Sequence, residues 1–191
     1  MIPATDIDID TADRTKVLKL FPNVPAMIQR DKKRVKHNTG VYFHDMPSDP
    51  FTGLATIDHK LAEQQGFFKI DILNVGLYKD IESPEHLDKL MNTEPMWELL
   101  THTEFTDNLF HVSEHSEVLK RMQPKTVEQL AAVLAIIRPA KRHLLGKSWD
   151  VVMKDVWTKP ADDAYYFKKA HAIAYAVAVV VQMNLLCESV A

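Results

Sequence analysis

A single cysteine, Cys187, stands among 191 residues, which excludes an internal disulfide framework and fits a reducing compartment. Glycine is scarce as well. Five glycines are too few for a glycine-rich phosphate cradle, and G-x-x-x-x-G-K-[ST], G-x-S-x-G and C-x-x-C are all absent. The N-terminus is acidic and lacks the basic segment and apolar core of a secretory signal. The most apolar run, residues 170–186, is interrupted by His171, Gln182 and Asn184, so it reads as a buried helix rather than a membrane span. An excess of positive charge is also missing. The net charge of −3 does not advertise nucleic-acid binding, although carboxylates gathered at a metal site would mask a basic surface elsewhere. These absences predict a cytoplasmic protein with no membrane partner.

With 46% apolar and 26% charged residues, the chain has the composition of an ordinary globular protein and is long enough to bury a genuine core. The first 75 residues read as a small sheet with little helix. A short helix is expected over 12–21, strands over Gly40–His44 and Phe67–Leu73, and a further strand over 54–58. The pattern then changes to helices. Ser83-Pro84-Glu85 gives a cap, a proline at the first helical position and an acidic first turn. Thr126-Val127-Glu128-Gln129 is a capping-box pattern. Helices are expected over 94–100, 113–122, 126–137, 148–157 and 161–188. The fold class is therefore α+β: a β-rich part over residues 1–80, then a helical part over 81–191.

Three patterns carry chemistry. In Asp6-Ile7-Asp8-Ile9-Asp10, strand alternation puts the aspartates on one face and the isoleucines on the other. Like charges about 7 Å apart repel unless something positive sits among them, and hard divalent cations suit carboxylate oxygens. Asp71 could supply another carboxylate from a neighbouring strand, with Lys69 on the same face to meet a triphosphate as a point charge. The competing reading is an acidic strand edge that guards against edge-to-edge pairing. The second pattern, Arg30-Asp31-Lys32-Lys33-Arg34-Val35-Lys36-His37, is the densest basic stretch; taken alone it reads as a solvated loop. The third, His111-Val112-Ser113-Glu114-His115, matches H-x-x-E-H, which on a helix places two imidazoles on one face for zinc. Ser113 looks like a helix start, however, which would leave His111 outside the helix and spoil the spacing.

Read together, the segments resemble the catalytic core of the C family of DNA polymerases, the bacterial DNA polymerase III alpha type. Asp6-Ile7-Asp8-Ile9-Asp10 is similar to its P-D-x-D-x-D-F motif, and Lys36-His37-Asn38-Thr39-Gly40-Val41 to K-H-x-G-G-V. Thr56-Ile57-Asp58 and Gly66-Phe67-Phe68-Lys69-Ile70-Asp71-Ile72-Leu73 resemble T-Q-x-D and G-L-x-K-x-D-x-L. Phe110 to Glu114 takes the place of F-Q-L-E, and Leu119 to Pro124 that of K-x-L-x-P. Ala135-Ile136-Ile137-Arg138-Pro139 resembles A-L-x-R-P-G, and Phe167-Lys168-Lys169-Ala170-His171 resembles F-N-K-S-H. The matches run in family order. Thr11 stands where the family has phenylalanine, Ala140 where it has glycine, and the fingers are much reduced.

The resemblance implies a nucleotidyltransferase-type palm, like that of DNA polymerase β, followed by helical fingers. It implies a miniature, phage-encoded DNA polymerase that extends a primer 3′ end by two-metal phosphoryl transfer. Asp6, Asp8 and Asp71 would hold Mg2+ or Mn2+, with Asp10 and His37 in support. Lys69, Lys36, Arg138, Lys169 and His171 would meet the nucleotide or its phosphates, and Arg30, Lys32, Lys33 and Arg34 the DNA. The implied partners are primer-template DNA, a deoxynucleoside triphosphate and other replication proteins. An alternative is a binding module or a subunit of a split polymerase, completed by or mimicking a replisome partner.

Overall fold

In the computed structural model, which describes residues 7–160 and 166–190, the alternating aspartate–isoleucine stretch forms strand β1 (Ile7–Thr11). Asp6 lies outside the described residues, as does the expected start of the last helix at 161–165. Helix α1 (Arg14–Leu20) begins where the Asp13 carboxylate accepts the Thr15 and Lys16 amides at 2.9 and 3.3 Å, removing two of the orphan donors of a helix start. Strands β2 (Val24–Arg30) and β3 (Lys33–Tyr42), helix α2 (His59–Gln64) and strand β4 (Ile70–Asn74) follow. The sheet is mixed, in the order β1-β4-β3-β2. β1 runs parallel to β4, while β3 is antiparallel to both β4 and β2.

The isoleucines of β1 do not form a buried face: β1 is an edge strand, and Ile9 is 43% exposed. Two expectations change here. The basic stretch is no loop but the tip of the β2–β3 hairpin, with Arg30 paired to Lys33 and Gln29 to Arg34. Asp31 makes the turn possible by taking a left-handed φ of 54°, a region that Asp visits more readily than most residues. The strand expected over 54–58 survives only as isolated bridges, from Met27 to Asp58 and Ser48 to Ala55. Asp58 ends it by turning its carboxylate to the Gln29 amide at 2.7 Å and to Lys60 N at 3.0 Å, which starts α2. A small core of Ala26, Met27, Tyr42, Met46, Ala55 and Ala62 lies beneath this half.

The chain divides into two compact units, Met1–Ile81 and Glu82–Ala191. The second is helical: α3 (Pro84–Asn92), α4 (Thr103–Thr106), α5 (Ser116–Met122), α6 (Val127–Ile136), α7 (Trp149–Asp155) and α8 (Lys169–Glu188), with 3-10 turns at Trp97–Thr101, Ser113–His115 and Pro139–Leu144. The Ser83 hydroxyl accepts the His86 amide at 3.1 Å, and the Thr126 hydroxyl the Gln129 amide at 3.1 Å. Gln129 reaches back to Lys125 N at 2.8 Å, one residue before the usual capping-box partner. The helix expected over 94–100 is only a 3-10 turn, because Pro95 disfavours the helical conformation at Glu94. The helix expected from 113 becomes α-helical at Ser116.

Helix α6 is buried from Leu130 to Ile136 on every side and packs against α8, so this pair is the centre of the larger core. Lys141 is buried to 3% exposure; its ammonium donates to the Asp155 carbonyl at 2.6 Å and carboxylate at 3.1 Å. That contact satisfies the C-terminal end of α7 with a positive charge.

Candidate functional site

Asp8 and Asp71 are register partners on the adjacent parallel strands β1 and β4. Neighbouring strands lie about 4.8 Å apart and partners project to the same face, so the two carboxylates stand side by side. Asp10 shares that face by alternation. Its charge reaches Tyr78, whose phenol pKa is raised first by burial and then by Asp10. Edge protection can account for aspartates on β1, which is an edge strand. It gives no reason for Asp71, because β4 is an interior strand of the sheet.

What surrounds Asp71 depends on an irregularity in β3. Its pairing with β2 jumps from Val41 opposite Pro25 to Lys36 opposite Met27, so Ala26 alone faces His37, Asn38, Thr39 and Gly40. A bulge of this kind re-aims side chains, and here it turns them toward β4, with Gly40 beside Asp71. The Thr39 hydroxyl donates to Asp71 Oδ1 at 2.6 Å, and Lys69 Nζ makes an ion pair with Oδ2. Arg14 locks the seam, donating from Nε to the Ile72 carbonyl at 3.1 Å and from Nη2 to the Thr39 carbonyl at 3.2 Å.

His37 holds the bulge in shape. Its Nδ1 accepts the Gly40 amide at 2.9 Å and the Thr39 amide at 3.3 Å. A nitrogen that accepts carries no proton, so the approach of Nδ1 to Asp71 Oδ1 at 3.7 Å is not an ion pair. Burial lowers the His37 pKa, and the nearby Lys69 charge adds to it against the opposing pull of Asp71.

Gly40 is where the arrangement is tightest. A Cβ there would lie 2.9 Å from Lys69 Cδ, 3.1 Å from His37 Nδ1 and 3.2 Å from Asp71 Oδ1. Gly40→Ala should cost the fold about 1 to 3 kcal/mol, because Lys69, His37 and Asp71 must all give way to the added methyl. It should lower any activity that depends on the Asp71 carboxylate by about tenfold or more, by shifting Lys69 and Asp71 together. Thermal unfolding and an activity assay on the same preparation would separate the two effects.

The basic hairpin distributes its charges in a way that a loop would not. Alternation places Arg34 and Lys36 on one face of the ribbon and Lys33, with its partner Arg30, on the other. Lys32 occupies the turn.

In the second unit, Arg138 and His171 are linked through Phe167. The Arg138 guanidinium lies over the Phe167 ring at 5.3 Å, and the His171 ring stacks parallel to that ring at 6.4 Å. Tyr175 stacks on the same phenylalanine at 5.5 Å and meets the His111 ring edge-on at 4.3 Å. Arg138 Nε is buried and has no hydrogen-bond partner among the described residues. Lys169 stands apart from this cluster, paired with Glu128 at 2.7 Å and lying over Trp157. The H-x-x-E-H pattern does not form one helical face: His111 has a left-handed φ of 62° and precedes the turn that contains Glu114 and His115. Burial lowers the pKa of both histidines, with Arg138 acting on His111, and Arg142 and Arg138 on His115.

Sequence reasoning found Asp8, Asp71, Lys69 and His37 but missed Thr39, Arg14 and the space that Gly40 leaves. The adjacent Thr39-Gly40 pair ahead of an apolar Val41-Tyr42 was the available signal for a bulge. In donor chemistry the site fits a hard divalent cation: two carboxylates in register, with a third on the same face. Among the described residues no group of three or more His, Cys, Asp or Glu side chains is arranged to hold a metal by itself. Asp71 is turned to Thr39 and Lys69 instead. No protein-family model matches the chain, and no curated protein is similar to it.

Proposed function

We propose that the chain is a reduced DNA polymerase of the C-family type, with a nucleotidyltransferase palm in its first unit. It adds deoxynucleotides to a primer 3′ end. The observation that carries this reading is the register pairing of Asp8 with Asp71, with Lys69, just ahead of β4, ion-paired to the Asp71 carboxylate. Asp8 and Asp71, with Asp6, are the residues that would hold Mg2+ or Mn2+. Such ions supply a more acidic 3′-hydroxyl and neutralise charge on the transferred phosphate.

The chain's own groups prepare that chemistry. Thr39 orients Asp71 through its hydroxyl, and Arg14 fixes Thr39 against β4. Lys69 neutralises Asp71 and can serve a triphosphate as a point charge. The hairpin charges would meet the DNA backbone, which makes affinity fall with added salt. In the second unit, Arg138 beside Phe167 and His171 offers a cation next to flat rings, the chemistry of a nucleotide's phosphates and base.

The test is extension of a labelled primer on a template with Mg2+ or Mn2+. Wild-type protein should extend it, and an Asp6→Asn/Asp8→Asn double variant should not. Equal background from both would refute the polymerase. Activity that appears only with a second protein chain would favour a split polymerase instead.

A further inference from the structure

Phe51 is the most exposed large hydrophobic side chain among the described residues, at 96%, and neither the carboxylate site nor the core uses it. Its backbone is nonetheless fixed. Asp49 Oδ1 accepts the Phe51 amide at 3.0 Å, the Thr52 amide at 2.8 Å and the Thr52 hydroxyl at 3.1 Å. Asp49 N donates to the Leu54 carbonyl at 2.8 Å, and Gly53, with a φ of 70°, returns its amide to the Asp49 carbonyl at 2.8 Å. Pro50 removes a further degree of freedom. Below the loop the chain is anchored by the Ser48–Ala55 bridge and by the Ala55 amide on the Pro25 carbonyl at 3.0 Å.

A disordered phenylalanine would lose much of any contact energy to ordering. One held out on a closed loop has met that cost in folding. The loop's exit runs along β2, through the Ala55 amide on the Pro25 carbonyl, the Met27–Asp58 bridge and the Gln29 amide on Asp58, and β3 carries Arg34 and Lys36 opposite Gln29 and Met27 of that strand. The same closeness adds Arg34 to the hydrogen bonds that lower the Asp49 pKa. Arg34 shares its ribbon face with Lys36. A flat apolar ring on a rigid support, next to a row of cations, is the pairing that an unpaired nucleotide recognises: base on the ring, phosphate on the cations. An apolar protein surface would make no use of the cations.

We infer that the Pro47–Thr56 loop is a single-strand binding element, with Phe51 stacking an unpaired base while Arg34 and Lys36 hold the adjoining phosphates. This inference builds on the proposed polymerase but does not need its chemistry. It identifies the substrate strand as locally single-stranded where it crosses the first unit.

The experiment is fluorescence anisotropy of the full chain with a fluorescein-labelled oligothymidylate and with an abasic oligomer of the same length. Phe51→Ala should weaken oligothymidylate binding by about 5- to 150-fold, the range measured for loss of one stacked base. It should leave abasic binding and the salt slope unchanged, and Phe51→Trp should restore the affinity. Arg34→Ala should instead weaken both oligomers and flatten the salt slope by about 0.7. Undiminished oligothymidylate binding by Phe51→Ala would overturn the inference and leave Phe51 to a protein partner. An equal loss on the abasic oligomer, or no binding by wild type, would overturn it too. No stacking contribution from Phe51 in a protein that extends primers refutes this element alone; stacking by a protein that does not extend primers refutes the polymerase alone.

Discussion

Asp71→Asn should reduce primer extension by about 10²- to 10³-fold, the scale on which removal of one preorganised charge-stabilising group is felt. The variant is informative because the asparagine carbonyl can still accept the Thr39 hydroxyl, now at 2.6 Å from Oδ1, so shape is largely kept. What changes is the other end. The new amide nitrogen would face Lys69 Nζ, donor against donor, where an ion pair now stands. Loss of a charge-assisted bond at a position only 14% exposed should cost about 1 to 3 kcal/mol of stability. Urea unfolding measures that cost, and primer extension at a temperature where both proteins are folded measures the activity. Thr39→Val makes the complementary case. It keeps the carboxylate but frees its orientation, and should cost about 10- to 100-fold, as loss of an outer-shell partner does. Full activity in Asp71→Asn would remove the carboxylate pair from any mechanism.

The ranking of effects at this site also marks what the sequence could reveal. Strand alternation and the Lys69-Ile70-Asp71 spacing were enough to put Asp8 with Asp10 on one face and Lys69 with Asp71 on another, because period-two geometry is local, whereas the pairing of Asp8 with Asp71 is long-range and stood only as one option. The caps at Ser83 and Thr126 were legible for the same reason: a cap is a bond between residues three apart. The β2–β3 hairpin was not. Pro25 and the charges from Arg30 to Lys36 suppress every strand propensity signal, and only pairing across the turn makes that stretch β. The bulge at His37–Gly40 left only the Thr39-Gly40 pair as a local sign, since it is a feature of the β2–β3 pairing and its side chains meet β4, a strand distant in sequence. Long-range pairing therefore decides the surroundings of Asp71, whereas local rules supply only its strand.

The helical unit gives a large stability prediction, and it runs against hydropathy. Asn184 lies in the longest apolar helix, α8, and is 6% exposed. Asn184→Leu would make that helix more apolar and nearly conserve volume, so a transfer argument alone expects a gain. The structure predicts a loss. The Asn184 amide donates two hydrogen bonds, to the Leu90 and Thr93 carbonyls, both at 2.9 Å. These carbonyls lie at the C-terminal end of α3, where a helix has no partners of its own for them. Leucine would leave the buried Leu90 carbonyl unsatisfied at about 1 to 3 kcal/mol and the part-buried Thr93 carbonyl at up to about 1 kcal/mol, offset by about 1 to 2 kcal/mol of apolar burial. A net destabilisation of up to about 3 kcal/mol is expected from urea or thermal unfolding. Asn184→Asp sharpens the test: it conserves size but replaces the double donor with an acceptor set against two carbonyls, and should be at least as damaging. A leucine variant as stable as wild type would mean that α8 is held by its apolar faces against α6 and α3 alone. The same logic extends to Gln182, which accepts the Phe110 amide at 2.9 Å and donates to the Asn108 carbonyl at 2.8 Å. Gln182 and Asn184, two of the polar residues that interrupt this apolar run, are thus its points of attachment to the segments around it.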